Sequence, residues 1–198
     1  MAGIQRNKTW LVVAGILAIA VIYTTVTYNS LVTRDENVKL MWGNLQNAYQ
    51  RRLDLIPNLV TVVKGSSEYE RQTLQQLAQA RGKAQQAIVS GSALSADNYR
   101  QQEQAQAAMA LSINKVIAIV EKYPDLQSTK PYVYFQAQLE GTERRIKVAR
   151  NDFNASVAAY NKMVRGFPSD IPAGLFGFRP KEGFQSQPGS EAPPEVKF

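Results

Sequence analysis

The chain has no cysteine and no histidine among its 198 residues, and those two absences exclude a great deal of chemistry. No disulfide can staple it and no thiolate can attack a substrate. No imidazole can move a proton near neutral pH, and the usual zinc and haem ligand sets are missing. Charge of one sign is also in short supply. Twenty-three basic against 16 acidic residues leave a formal charge of +7, and two of the basic residues, Arg6 and Lys8, precede the first apolar run. No Lys/Arg run carries interleaved aromatics. The densest basic clusters, Arg51-Arg52 and Arg144-Arg145-Ile146-Lys147, share helical stretches with acids and read as solvated faces rather than as a nucleic-acid surface. Gly174-Leu175-Phe176-Gly177-Phe178 lacks the lysine and the strand-loop-helix setting of a phosphate loop. No acid cluster has calcium-loop spacing. Glu140 and Glu143 stand three apart on one helix face, too alike in setting for an acid/base pair. The expectation is therefore a protein that is not an enzyme, with no cofactor, metal, nucleic acid or small-molecule substrate.

What the chain does have is one long hydrophobic run. No charged residue occurs from Thr9 to Thr33, and Trp10 to Tyr28 is almost wholly apolar. At ~1.5 Å per residue this stretch makes a helix of about 28 Å, close to the ~30 Å hydrocarbon core of a bilayer. Trp10, Leu11, Ile16, Ile19, Ile22 and Tyr23 are its anchor residues. Trp10 and the pair Tyr23/Tyr28 stand where interfacial aromatics belong. A cleaved signal peptide is the competing reading, because Arg6 and Lys8 form a basic start and Ala18-Ile19-Ala20 has the small-x-small look of a cleavage site. The run continues through Val21-Ile22-Tyr23, which favours an uncleaved span. The basic residues before the span slightly favour a cytoplasmic N-terminus and an extracytoplasmic domain in a bacterial inner membrane.

Beyond the span, apolar residues recur at threes and fours and nowhere alternate, so helices are expected and strands are not. Helix one carries Val38, Trp42, Leu45, Tyr49 and Leu53 and can continue out of the bilayer without a break. Asp54-Leu55-Ile56-Pro57 predicts a cap and a restart at Leu55; one long helix kinked at Pro57 and turning at Gly65-Ser66-Ser67 is the alternative. Helix two runs from Leu59 through Ser66, Tyr69, Leu77, Ala80 and Ala84 to Ile88, ending at Ser90-Gly91-Ser92. Helix three starts at Ser95 or Asp97 and carries Tyr99, Ala105, Met109, Ile113, Val116, Val120 and Tyr123 before Pro124. The glutamines between Gln72 and Gln106 read as exposed surface. Helix four shows the clearest stripe, from Phe135 through Leu139, Thr142, Ile146, Ala149, Phe153, Val157, Tyr160 and Val164 to Phe167. Four such stripes joined by short turns bury themselves most simply in an antiparallel bundle.

The resulting organisation is a short segment over 1–8, a transmembrane helix over 9–28 and a four-helix bundle of long helices over 29–168. An irregular tail over 169–184 lies against bundle or membrane, and a disordered tail occupies 185–198. Asn29, Asn154 and Asn161 each follow an aromatic residue in helical context, where asparagine is a poor former, and suggest bonding between helices.

The segment Tyr28-Asn29-Ser30-Leu31-Val32, then Trp42, then Gln50-Arg51-Arg52-Leu53-Asp54-Leu55-Ile56-Pro57-Asn58-Leu59-Val60 resembles the LemA family. So does Leu139-Glu140-Gly141-Thr142-Glu143-Arg144-Arg145-Ile146 through Phe153-Asn154 and Tyr160-Asn161 to Phe167-Pro168. The resemblance covers Tyr28 to about Phe184 and implies a bacterial membrane-anchored four-helix bundle, without an assigned activity. Phe153 stands where a tyrosine is common in the family, and Ser66-Ser67 where an aromatic is common.

The densest polar constellation is Arg51, Arg52, Asp54 and Asn58. It is either a docking corner or a structural one, in which Asp54 caps helix two and the arginines pair with Glu140 or Glu143. The leading functional expectation is a non-catalytic interaction or scaffold module serving membrane or envelope proteins, or further copies of itself. An anionic-lipid-binding or membrane-shaping role is the alternative.

Overall fold

The computed structural model describes residues 2–64, 71–90 and 95–184, with the backbone alone described for 2–9, 64, 71 and 90. The elements in chain order are α1 (Ala2–Asp54), α2 (Ile56–Lys64), α3 (Arg71–Ser90), α4 (Ala96–Val120), α5 (Pro124–Gln127), α6 (Lys130–Arg165) and α7 (Asp170–Leu175). Among the described residues there is no strand, so the all-α expectation is borne out. The alternative turn at Gly65-Ser67, the members Ser66 and Tyr69, the Gly91-Ser92 break and the tail over 185–198 lie outside the described residues.

The membrane-length run and helix one form a single 53-residue helix, α1. Nothing between Val21 and Asp54 breaks it; Gly43 lies inside the helix, at a cost of about 1 kcal/mol relative to alanine. The break falls at Leu55, whose N–H donates to the Arg52 carbonyl three residues back at 3.2 Å. Pro57 then sits in the first turn of α2, where its missing N–H costs no helical bond. The expected restart at Leu55 moves by one residue, and Asp54 does not cap α2. Its carboxylate instead accepts from Gln50 Nε2 at 2.8 Å, because Gln50 lies one turn back on the same face.

The chain divides into two compact units. One comprises Met41–Asn154 with Glu182–Phe198. Its aliphatic core joins Leu53, Ile56, Leu59 and Val63 to Leu77, Ala80 and Ala84 of α3, Met109, Ile113, Val116 and Val120 of α4, and Tyr132 and Phe135 of α6. Each fully buried large side chain there contributes about 1.5–3 kcal/mol. Ser95 caps α4, its Oγ accepting from the Asn98 N–H at 3.3 Å; Asp97 lies inside the first turn, where its charge suits the helix dipole. A second cluster is aromatic. Trp42 packs on Tyr99 (4.8 Å between centroids) and on Phe153 (5.3 Å), and Phe184 closes over Phe153 at 5.7 Å.

The other unit comprises Met1–Leu40 with Ala155–Lys181. Thr27, Leu31 and Val38 of α1 and Val157, Tyr160 and Val164 of α6 are buried. Phe167, expected to extend the α6 stripe, is 85% exposed, since the helix has already ended at Arg165. The segment after it is not wholly irregular, as its prolines suggested: α7 occupies Asp170–Leu175, with Pro172 early enough to lose no helical bond. Gly177, at φ 77°, reverses the chain. The Phe178 N–H reaches back to the Ala173 carbonyl at 2.9 Å and the Gly177 N–H to Gly174 at 3.3 Å, which satisfies the open end of the helix. Phe176 and Phe178 then lie edge-on to Tyr28, at 4.9 and 5.8 Å.

The asparagines behave differently from the expectation of helix-to-helix bonding. Asn161 donates to the Lys181 carbonyl at 2.7 Å and accepts from the Lys181 N–H at 2.8 Å. Asn154 makes the same pair with Phe184, at 3.1 and 2.9 Å. A carboxamide carries donor and acceptor side by side, so it mimics a peptide edge and satisfies an extended strap that has no strand to pair with.

Candidate functional site

Two regions concentrate unusual side-chain placements, one in each unit. In the unit containing the N-terminus, an 18-residue window of α1 has mean hydropathy 2.1 and only 6% of it is buried. The anchor residues Trp10, Leu11, Ile16, Ile19 and Ile22 are all more than 60% exposed, and Tyr23 is exposed as well. This is a helix long and apolar enough to cross a membrane. Among the described residues almost none of its apolar surface is covered.

The other region contains the polar constellation read from the sequence, which the structure divides. Arg51, Asp54 and Asn58 are exposed, whereas Arg52 is 5% exposed. The guanidinium of Arg52 donates through Nη1 to Gln106 Oε1 at 3.1 Å and to the Gln106 carbonyl at 3.4 Å, and through Nη2 to the Glu143 carboxylate. One residue from each of α1, α4 and α6 thus meets at one buried charge. Removing a guanidinium from water costs several kcal/mol unless its donors are paired, so Glu143 and Gln106 are what make the site tolerable.

The seam extends beyond that knot. Gln102, one turn before Gln106 on α4, is completely buried, and neither its amide oxygen nor its nitrogen has a partner. Gln106 Nε2, Tyr99 Oη and the Nε atoms of Arg52 and Arg150 are likewise buried without one. Arg150 of α6 donates to Tyr49 Oη at 3.0 Å, lies 3.7 Å from Glu103 and stacks over the Phe184 ring at 5.0 Å. Burial pushes the Tyr49 phenol above its ordinary pKa against the opposing pull of Arg150. Burial, aided by Glu182, pushes Tyr99 up to about 12. Both phenols therefore stay protonated and neutral.

Gln102 and Gln106 contradict the reading of the glutamines as exposed surface. The signal was present: Tyr99, Gln102, Gln106, Met109 and Ile113 follow one another at steps of three and four, so both amides stand on the buried stripe. Gln75, Gln76 and Gln86 do face water.

Chemically, the seam holds three helices in register. Its carboxylates, Glu103 and Glu143, are tied to arginines, and among the described residues no three His, Cys, Asp or Glu side chains group to hold a metal ion. A separate groove of about 270 Å³ in the same unit is lined by Met41, Asn44, Arg144, Arg145, Val148 and Asp152.

The sequence model of the LemA family matches residues 41–198. The chain is similar to magnetosome protein MamQ of Magnetospirillum gryphiswaldense, 27% identical over 197 residues that cover 90% of this chain and 72% of the relative. It is 25% identical to magnetosome protein MamQ 2 of Paramagnetospirillum magneticum, over 92% of this chain and 74% of that protein.

Proposed function

From the premise that this chain belongs to the LemA family, we propose that it is a membrane-anchored, non-enzymatic interaction module. Its α1 helix tethers a helical domain to a bacterial inner membrane, on the extracytoplasmic side. The observation that carries the reading is the bare apolar surface of α1. A stretch with mean hydropathy 2.1 and 6% burial is left bare by the described residues, and lipid or another protein offsets the cost of exposing it to water. No break separates that stretch from Asp54 on the same helix. Absence of cysteine and histidine, and carboxylates neutralised by arginine, support a binding role over catalysis.

Membrane or envelope proteins are the partners this reading names. Leu111, Val133 and Tyr134 offer them exposed apolar contacts. The lipid-gripping alternative stands second, and the groove that sets Arg144 and Arg145 beside Met41 and Val148 is the observation for it.

Carbonate extraction of membranes carrying the full chain tests the tether: the protein should stay in the pellet, and its release would end the proposal. A reporter on the C-terminus should read the extracytoplasmic side. Crosslinking in intact cells followed by purification in detergent should recover defined membrane-protein adducts. A strictly monomeric chain without adducts, which instead binds anionic vesicles in a salt-sensitive way through Arg144 and Arg145, would favour the alternative.

A further inference from the structure

A second bare apolar surface lies in the unit that holds the span. After α6 ends at Arg165 the chain reverses through α7 and turns back at Gly177. Phe167, Ile171 and Leu175 follow one another at steps of four and are 85, 64 and 75% exposed, and Phe176 beside them is half exposed. Phe167 is thus barer than any large apolar side chain described on the span itself, where Trp10 at 76% is the extreme. Single exposed apolar residues are ordinary, whereas four within one short reversal form a contact surface.

The fold holds this surface outward. The Ser169 hydroxyl lies 2.6 Å from the Met163 carbonyl oxygen and 2.7 Å from that of Gly166, and the Asp170 N–H donates to the Gly166 carbonyl at 2.8 Å. A Cβ on Gly166 would stand 2.8 Å from the Lys162 carbonyl oxygen, so the close reversal requires glycine there. Pro172 and Ala173 are the buried residues of α7, which leaves Ile171 and Leu175, one turn apart, on its open side.

What covers the surface follows from its height along α1. Phe176 and Phe178 pack edge-on against Tyr28, the aromatic residue that closes the apolar run, where an interfacial ring belongs. The chain then climbs away from the span. Three residues after Phe178, Lys181 pairs with Asp35 at 2.8 Å, and Asp35 lies seven residues, about 10 Å of helix, beyond Tyr28. The reversal is therefore level with the boundary of the span. Arg165 and Arg179 stand at its two ends, both exposed and, among the described residues, without a carboxylate partner; Asp170 is the one acid between them. Long cationic side chains flanking an apolar tip suit a layer of phosphates above acyl chains. A protein partner would have to enter between this surface and the headgroups, whereas lipid is present there whenever α1 spans.

We propose that the reversal from Phe167 to Phe176 is a second membrane contact, and that its occupant is the interfacial layer of the bilayer that α1 crosses. Phe167, Ile171 and Leu175 dip to the boundary between headgroups and acyl chains, and Arg165 and Arg179 meet the phosphates. Because α7 lies to one side of α1, the contact fixes the rotation of α1 about its own axis, which a lone spanning helix leaves free. The proposal deepens the tethered-module reading and rests on it for the position of the bilayer.

The chain's lack of cysteine makes a direct test simple. Single cysteines replace Ile19, Asn37, Phe167, Ile171 or Leu175 in the full-length protein, each carries a nitroxide spin label, and the protein is reconstituted at low density into vesicles of phosphatidylethanolamine and phosphatidylglycerol. Collision of the label with oxygen, which concentrates in lipid, is compared with collision with a water-soluble nickel chelate. Labels at 167, 171 and 175 should show an oxygen-to-nickel ratio several-fold above that at Asn37→Cys and approaching that at Ile19→Cys. Adding Leu175→Glu should bring the ratio at Phe167→Cys down to the Asn37 level, with helix content by circular dichroism unchanged. Ratios at 167, 171 and 175 equal to that at Asn37 would overturn the proposal, and so would low collision with both reagents, the mark of a surface covered by protein. Position 19 reads the tether separately: a lipid-like Ile19 with water-like 167, 171 and 175 defeats the second contact alone, and a water-like Ile19 with lipid-like reversal positions defeats the span alone.

Discussion

Arg52 and Glu143 stand 91 positions apart in the chain and form an ion pair in the fold, one side chain buried and the other half open to water. The asymmetry sets the energetics. Glu143 keeps part of its hydration, whereas Arg52 depends on protein acceptors for nearly all of its donors. Glu143→Gln leaves the buried guanidinium without its counter-charge and should destabilise the domain by about 2–4 kcal/mol, below the cost of splitting a pair buried on both sides. Arg52→Ala removes the buried charge itself and leaves a carboxylate that water can still reach, so it should cost less, about 1–2 kcal/mol. Urea unfolding of the full chain in mild detergent measures both, and a larger loss in Arg52→Ala would mean that the stranded charge does not dominate.

Gln102 gives a prediction of opposite sign. A completely buried amide without a partner is a net penalty, and Leu is close to it in volume. Gln102→Leu should stabilise by about 1 kcal/mol, read as a higher urea midpoint. A drop in the midpoint would mean that the amide is hydrogen-bonded in solution.

The carboxamide clamps make a local prediction. Asn161→Ala removes both bonds to Lys181 and should cost about 1–2 kcal/mol, at the usual net value of about 1 kcal/mol per hydrogen bond. Amide exchange at Lys181 should accelerate while Met109 and Ile113 in the aliphatic core keep their protection. Asn154→Ala should do the same at Phe184. Uniform loss of protection across the chain would contradict the local role.

Asp35 supplies a pH dependence. Burial raises its pKa, but hydrogen bonds from Lys181 and Lys39 and their charges outweigh that, and the net shift is downward. The folded state therefore binds this proton less readily than the unfolded state. Its stabilising contribution is complete above the ordinary carboxylate pKa of about 3.9 and disappears as pH falls through the lower folded value. Lys181 lies 2.8 Å from Asp35, so the strap should loosen below about pH 4. In Asp35→Asn the amide exchange of Arg179 and Lys181 should be faster at neutral pH and lose that acid step. An unchanged acid step in the variant would assign it elsewhere.

Much of the architecture was legible because periodicity reports burial. The stripe from Val38 to Leu53 and most of the stripe from Phe135 to Val164 face inward as their spacing requires, with Phe167 lost only because its helix stops two residues earlier. The polar site was less legible. Arg51-Arg52-Asp54 reads as one constellation along the chain, but neighbours on a helix point in different directions, about 100° apart, so only Arg52 turns inward. Gln102 and Gln106 were masked by their composition, since a glutamine-rich helix suggests solvent whichever side each amide occupies.

The amino-acid sequence alone determined that this protein is helical, that its N-terminal run is long enough to cross a bilayer, and which family it resembles, because hydrophobic spacing, run length and motif identity are properties of the linear chain. Tertiary structure decided that Arg52 is drawn inside to meet Glu143, and that Asn154 and Asn161 hold a strap and not a helix. Those outcomes depend on which distant residue arrives opposite each side chain, and hydrogen-bond geometry is satisfied only in three dimensions.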